Sequence, residues 1–158
     1  MINKISFFFG SWFYLGKAKY ASGTFGTLGA LPFAWFILSH YGMNGLIIAA
    51  IIVSILGIFI SDNISKNMGI KDPGVIVIDE VAGVFINLIP AALTPMSFLV
   101  GFALFRLFDI SKPWPISWAD KKVEGGLGVM LDDIFAGIIG GVILYFLQIQ
   151  FPAFFGIM

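Results

Sequence analysis

The chain has 158 residues, of which 59% are hydrophobic and 11% charged, and its mean hydropathy is +0.98. That apolar excess excludes an ordinary soluble domain and predicts an integral membrane protein. Nine Lys and Arg balance nine Asp and Glu, which excludes both the basic footprint of a nucleic-acid binder and the acidity of a disordered tail. There is no cysteine and one histidine, His40, so disulfides, thiolate chemistry and multi-histidine metal sites are excluded too. Any catalysis falls to carboxylates, lysines and backbone groups.

The N-terminal stretch Ile5-Ser6-Phe7-Phe8-Phe9-Gly10-Ser11-Trp12-Phe13-Tyr14 is too short to span a bilayer and dense in aromatics. It reads as an interfacial segment within residues 1–19, and no small-residue cleavage pattern marks it as a signal peptide. Charged residues are then missing from 20–61, 81–105 and 134–158. A bilayer core takes about 20 mostly apolar residues per helix, so these gaps predict about five transmembrane helices, at 27–38, 45–61, 75–93, 97–109 and 130–147. The first two share one gap, broken around Ser39-His40-Tyr41-Gly42. The first, which carries Pro32, and the fourth are short, which suits tilted or partly re-entrant elements. The expected architecture is a single all-α membrane-embedded domain over 1–158, with a helical bundle over 20–148 and a tail over 149–158.

Five crossings put every lysine and arginine on one side of the membrane. By the positive-inside rule the N-terminus is then cytoplasmic and the C-terminus lies on the far side. His40 falls in the far-side connection, remote from the other ionisable groups, and reads as a turn residue.

All nine acids fall on the cytoplasmic side as well. Asp79 and Glu80 sit four and five residues into the third predicted span, where a buried charge costs at least about 2.5 to 3.5 kcal/mol. Asp132 and Asp133 repeat the situation near the start of the last span, where a helix N-terminus offsets only about 0.3 to 1 kcal/mol per charge. Four carboxylates at similar depth suit a hard divalent cation, and Mg²⁺ usually takes one or two of them together with water and substrate phosphate. Plain ion pairs with Arg106 or a lysine, or helix caps, are the structural alternative. Ala82 and Gly83, and the pairs Ala136/Gly140 and Gly137/Gly141, supply small-residue spacing for close approach of helices. Asn87 is placed to hydrogen-bond in that interface.

Arg106 and Asp109 lie three apart on the fourth span and share a face, with Lys112 following in Lys112-Pro113-Trp114-Pro115. An arginine fork at a membrane helix end suits phosphate recognition; an Arg106–Asp109 salt bridge reaching the interface is the alternative. Trp114 and Trp118 read as belt anchors. Residues 22–29, Ser-Gly-Thr-Phe-Gly-Thr-Leu-Gly, open the first span on the same side. Thr24, Gly26 and Thr27 there either help point backbone N–H groups at an anion or belong to a simple bend. The spacing is not that of a Walker A loop.

Four blocks in order resemble the phosphatidylglycerophosphatase A family. They are Gly23-Thr24-Phe25-Gly26-Thr27-Leu28; Asp72-Pro73-Gly74-Val75-Ile76-Val77-Ile78-Asp79-Glu80-Val81-Ala82-Gly83; Phe105-Arg106-Leu107-Phe108-Asp109-Ile110-Ser111-Lys112-Pro113-Trp114-Pro115-Ile116; and Gly125-Gly126-Leu127-Gly128-Val129-Met130-Leu131-Asp132-Asp133-Ile134-Phe135-Ala136-Gly137. The resemblance runs from about residue 16 to 145. It implies a bacterial inner-membrane, Mg²⁺-dependent lipid phosphatase that converts phosphatidylglycerophosphate to phosphatidylglycerol and inorganic phosphate. Ser22 departs from it, standing where the family usually has proline. Asp62 and Glu124 receive no role.

Residue chemistry and resemblance converge on one expectation. Asp79, Glu80, Asp132 and Asp133 supply metal ligands and a base for attacking water; Arg106, Lys112 and the Thr24–Thr27 stretch hold the phosphate; Asp109 orients Arg106 or serves as an alternative acid/base. Direct water attack is preferred to an aspartyl-phosphate, since the Asp-x-Asp motif of soluble aspartyl phosphatases is missing. The expected partners are the lipid substrate and the membrane, with no nucleic acid and no protein partner specified. The rival classes are an ion- or proton-coupled transporter, which expects acids near the midplane and an internal repeat, and another membrane lipid-phosphate enzyme such as a CDP-alcohol phosphotransferase, whose spaced aspartates are missing. A non-catalytic scaffold gives no reason for the acids.

Overall fold

Helix is the only extended secondary structure among the described residues, 4–157, of the computed structural model. The elements are α1 (Lys4–Gly10), α2 (Ser22–Met68), α3 (Ile78–Asn87), α4 (Pro95–Ser111), α5 (Ile116–Lys122) and α6 (Gly125–Gln150), with a 3₁₀ turn at Leu15–Lys17 between α1 and α2. The all-α expectation holds. Residues 1–3 of the expected interfacial segment and residue 158 of the expected tail lie outside the described residues.

The 47-residue α2 is two limbs, 22–41 and 43–68, meeting at Gly42 with φ 63° and ψ −166°. Glycine alone adopts that backbone readily, so the sequence break expected around residues 39–42 falls on this residue. Both outer ends of α2 lie at one end of the bundle. Gly23 packs against Glu80 and Arg106, while Gly57 abuts Met130 and Asp62 accepts from the Gly126 N–H at 3.4 Å. His40 is exposed just before the turn, its Nδ1 2.8 Å from Ser39 Oγ and 2.9 Å from the Phe36 carbonyl.

From the acidic end α3 runs inward to Asn87, whose Nδ2 donates to the Gly101 carbonyl of α4 at 2.8 Å. α4 starts at the opposite end, where Thr94 Oγ1 caps it by accepting from the Ser97 N–H at 3.2 Å and Pro95 occupies the first turn. It carries Phe105, Arg106 and Asp109 back toward the acids. α6 then leaves the acidic end and reaches Gln148 at the other. The chain makes five passes in this way. Phe85, Leu88, Phe105, Leu46 and Leu144 fill the centre, and Ala30, Ala34 and Ala50 let the limbs of α2 lie close to it.

The third pass departs from the expected 75–93. Its helix has ten residues, about 15 Å at 1.5 Å per residue, or half a bilayer core of about 30 Å. Pro73 and Gly74 keep the residues before it out of helix, and 88–94 follow as irregular chain. Gln148 serves that irregular backbone. Its Nε2 donates to the Pro90 carbonyl at 2.9 Å, and its Oε1 accepts from the Ala92 N–H and the Ser97 hydroxyl, both at 2.8 Å. Broken backbone in an apolar surround needs such partners. α6 also starts five residues before the expected 130, and α5 corresponds to no predicted element. Among the described residues two helices, α2 and α6, are long and apolar enough to cross a membrane, by length and composition.

Candidate active site

Asp79 and Glu80 stand in the first turn of α3, where unpaired backbone N–H groups and the helix dipole favour negative charge. Asp133 meets them from α6, about two turns past that helix's start at Gly125. The sequence expectation of acids at two helix starts is thus corrected: the dipole favours Asp79 and Glu80, whereas Asp133 stands in a helix interior. Glycines make the meeting possible. A Cβ on Gly137 would run into the Gly83 carbonyl oxygen, and one on Gly83 would sit 2.7 Å from the Asp133 carbonyl oxygen. Any larger residue at either position holds α3 and α6 apart.

One carboxylate oxygen from each of Asp79, Glu80 and Asp133 lies within 4.8 Å of the others. Asp79 and Asp133 are buried, and Asp79 Oδ1 and Glu80 Oε2 are buried without a hydrogen-bond partner. Like charges crowded into an apolar surround, with orphaned oxygens, are costly by themselves. A divalent cation removes both costs, and oxygen donors from carboxylates fit a hard one.

The cationic side of the site is equally specific. Arg106 Nη1 pairs with Asp109, one turn away on α4, and lies 3.9 Å from Glu80 Oε1. Its buried Nε has no partner. The first turn of α2 closes over this pair: a Cβ on Gly23 would run into Glu80 Oε1 and lie 3.0 Å from Arg106 Nη1.

Of the other residues expected to hold phosphate, Gly26 backs onto Val77, where a Cβ would fall 2.6 Å from the valine Cβ. The Thr27 hydroxyl is buried and donates to the Gly23 carbonyl at 2.8 Å, so it is committed to its own helix. Thr24 is half-buried. The stretch 22–29 is helix rather than a loop, entered through Ala21 at φ 52°.

Lys112 ends α4 in the left-handed conformation, φ 42° and ψ 55°. Its Nζ lies 2.7 Å from Asp132 Oδ2 and 2.7 Å from Asp120 Oδ1. Partial burial disfavours its charge, but the two carboxylates outweigh that and hold the ammonium above the usual lysine range. Asp132 therefore faces Lys112 while its neighbour Asp133 faces α3, as the turn of about 100° between consecutive helical residues requires. Nothing in the sequence singled out Asp120, which comes from the unforeseen α5.

Buried carboxylates beside a guanidinium and an ammonium, gathered at one end of an apolar helical bundle, make this an all-helical protein with an acidic cluster that could hold a metal ion. The chain belongs to the phosphatidylglycerophosphatase A family, whose sequence model matches residues 8–148. The phosphatidylglycerophosphatase A of Escherichia coli is 37% identical over 138 residues, which cover 87% of this chain and 80% of that protein. That of Haemophilus influenzae is 39% identical over 131 residues, covering 81% and 79%. No solved structure matches the chain.

Proposed function

We propose that this enzyme hydrolyses the phosphomonoester of phosphatidylglycerophosphate to phosphatidylglycerol and inorganic phosphate, with Mg²⁺ as cofactor, at the cytoplasmic face of a bacterial inner membrane. The observation that carries the reading is the meeting of Asp79, Glu80 and Asp133, with orphaned oxygens, beside Arg106. Family membership supports the substrate.

Asp79, Glu80 and Asp133 would hold the metal. When bound, it would supply charge neutralisation for the phosphoryl oxygens and a lowered pKa for water. Arg106, with Asp109 fixing one nitrogen and Nε left free, offers its fork to phosphate oxygens. Lys112 adds a second cation at the mouth of the site, and the Gly23 backbone leaves room beside Glu80. A carboxylate of the cluster takes the proton as water oxygen bonds to phosphorus. The bond from phosphorus to the lipid oxygen breaks, and that oxygen takes up the proton held by the carboxylate, leaving as the hydroxyl of phosphatidylglycerol. Oxygen-18 from solvent should appear in phosphate and in no aspartate; label in a carboxylate would favour the aspartyl-phosphate route.

The membrane placement rests on outward-facing chemistry. Ile48, Ile51, Ile52, Ile55, Leu56 and Phe59 form a helical stripe on α2 in which each side chain is more than half exposed, a surface that water does not tolerate and lipid does. With five crossings, the acidic end carries the basic connections and faces the cytoplasm. Acids at one end of the passes, rather than midway along them, disfavour the transporter alternative.

The test is phosphate release from phosphatidylglycerophosphate by the purified protein in detergent. Release should stop with EDTA and return with Mg²⁺. No release, or release indifferent to chelation, overturns the assignment or its cofactor respectively.

A further inference from the structure

We propose that Asp120 is a positioning residue for this reaction: from α5 it fixes the Lys112 ammonium at the mouth of the acidic site and acts on the substrate phosphate only through that lysine. The inference rests on Lys112 as a phosphate-binding cation and adds the element that aims it.

A lysine side chain is long and flexible, and one ion pair leaves its ammonium free to swing. Here two carboxylates from different elements bracket it, Asp132 on α6 and Asp120 on α5, each at 2.7 Å. The brackets differ in kind. Asp132 is nearly buried on the site's own helix, whereas Asp120 is the more exposed partner on the outer side. Without Asp120 the ammonium keeps Asp132 as its ion-pair partner, with Asp72 within electrostatic reach, and is drawn inward.

Asp120 is itself held. Its backbone carbonyl accepts from Lys71 Nζ at 2.6 Å, tying α5 to the connection that leads into α3. Ile116 and Ala119, fully buried, anchor α5 in the bundle. Lys112 also occupies a left-handed backbone position that favours glycine. A lysine there gives up backbone ease and gains an ammonium directed by α4's end. Asp120 thus ties the approach to α3 to the end of α4 and, through Lys112, to Asp132 in α6.

The experiment is a double-mutant cycle on the full-length enzyme in detergent, reading kcat, KM and inhibition by orthophosphate. Asp120→Asn should raise KM and the orthophosphate inhibition constant about tenfold while kcat changes less than about threefold, the pattern of lost anion binding rather than lost chemistry. Lys112→Met should show a loss of the same kind, at least as large. The double variant Asp120→Asn/Lys112→Met should be no worse than Lys112→Met alone, because a residue acting through another has nothing left to act on. A merely structural role predicts losses that multiply, and multiplying losses overturn the proposal. Asp120→Glu keeps the charge and should recover most of the affinity. If Asp120→Asn does not fold, Asp120→Ala run through the same cycle decides: a KM unchanged from wild type overturns the proposal, and a KM shift present only when Lys112 is intact supports it. Wild-type protein that releases no phosphate would overturn the functional reading; an active wild type with Asp120→Asn unaffected would overturn this inference alone.

Discussion

Gly137 on α6 lies directly against the carbonyl of Gly83 on α3, leaving no space for a Cβ between the two helices. The same approach brings Asp133 to Asp79 and Glu80, so backbone packing and site assembly are one event. In an apolar surround, where no hydrophobic driving force presses helices together, close contact of small residues is what associates them.

Gly137→Ala should therefore damage both stability and activity. Forcing a methyl into that contact costs about 1–3 kcal/mol as overpacking does elsewhere, and the separation it imposes opens the acidic cluster. Gly74 provides the contrast, since a Cβ there meets nothing within 4 Å; Gly74→Ala should shift stability by less than about 0.5 kcal/mol. Thermal unfolding in detergent, with phosphate release measured in parallel, checks both. A Gly137→Ala protein as stable and active as wild type would mean the two helices do not need this contact.

Asp133→Asn and Asp79→Asn should each lower kcat by at least about 100-fold, the scale of a lost electrostatic group in a reaction centre. Metal binding gives a readout independent of turnover. Mg²⁺ at many times its dissociation constant should raise the melting temperature of the wild type, and either substitution should remove that rise. A variant that keeps full activity takes its residue out of the site.

The charge-free gaps marked the apolar passes, and the adjacent acids marked the candidate site, because both readings follow from the cost of placing ions in hydrocarbon. What composition could not convey was orientation. Asp132 and Asp133 are neighbours in sequence, yet a helix turns them to different partners, and only packing against α3 decides which one joins Asp79 and Glu80. The last span was expected to start at 130. In fact α6 begins at Gly125, and Gly126 is pressed against the Ile58 carbonyl of α2, so a close contact overrides weak helix propensity. The third pass was read too long because 88–94 is apolar; its departure from helix is stabilised by Gln148, 54 residues beyond the end of that stretch. Asp120 was invisible for a similar reason, since its meeting with Lys112 depends on where α5 places it.

Arg106→Lys preserves charge and removes the fork. A lysine ammonium cannot engage Asp109 and a phosphate in parallel as a planar guanidinium does, so KM should rise about tenfold with kcat reduced less than for Asp133→Asn. Asp109→Asn should move KM in the same direction by a smaller amount, because it loosens the arginine without deleting it. Steady-state kinetics across both variants check this. A kcat loss with unchanged KM in Arg106→Lys would place the arginine in the chemical step instead of in phosphate binding.

The absence of cysteine from the sequence makes the proposed orientation directly measurable with single introduced thiols. Asn44 is exposed beside the Gly42 turn, and Lys121 is exposed on α5 at the acidic end. With five crossings and the basic connections inside, Asn44→Cys should react with a membrane-impermeant maleimide on intact spheroplasts, whereas Lys121→Cys should react only after permeabilisation. The reverse pattern would turn the active site toward the far side and break the link to a cytoplasmic lipid substrate. Labelling of both thiols from outside would show that the chain between them crosses an even number of times, and the short α3, about half a bilayer in length, would then be re-entrant rather than part of a crossing.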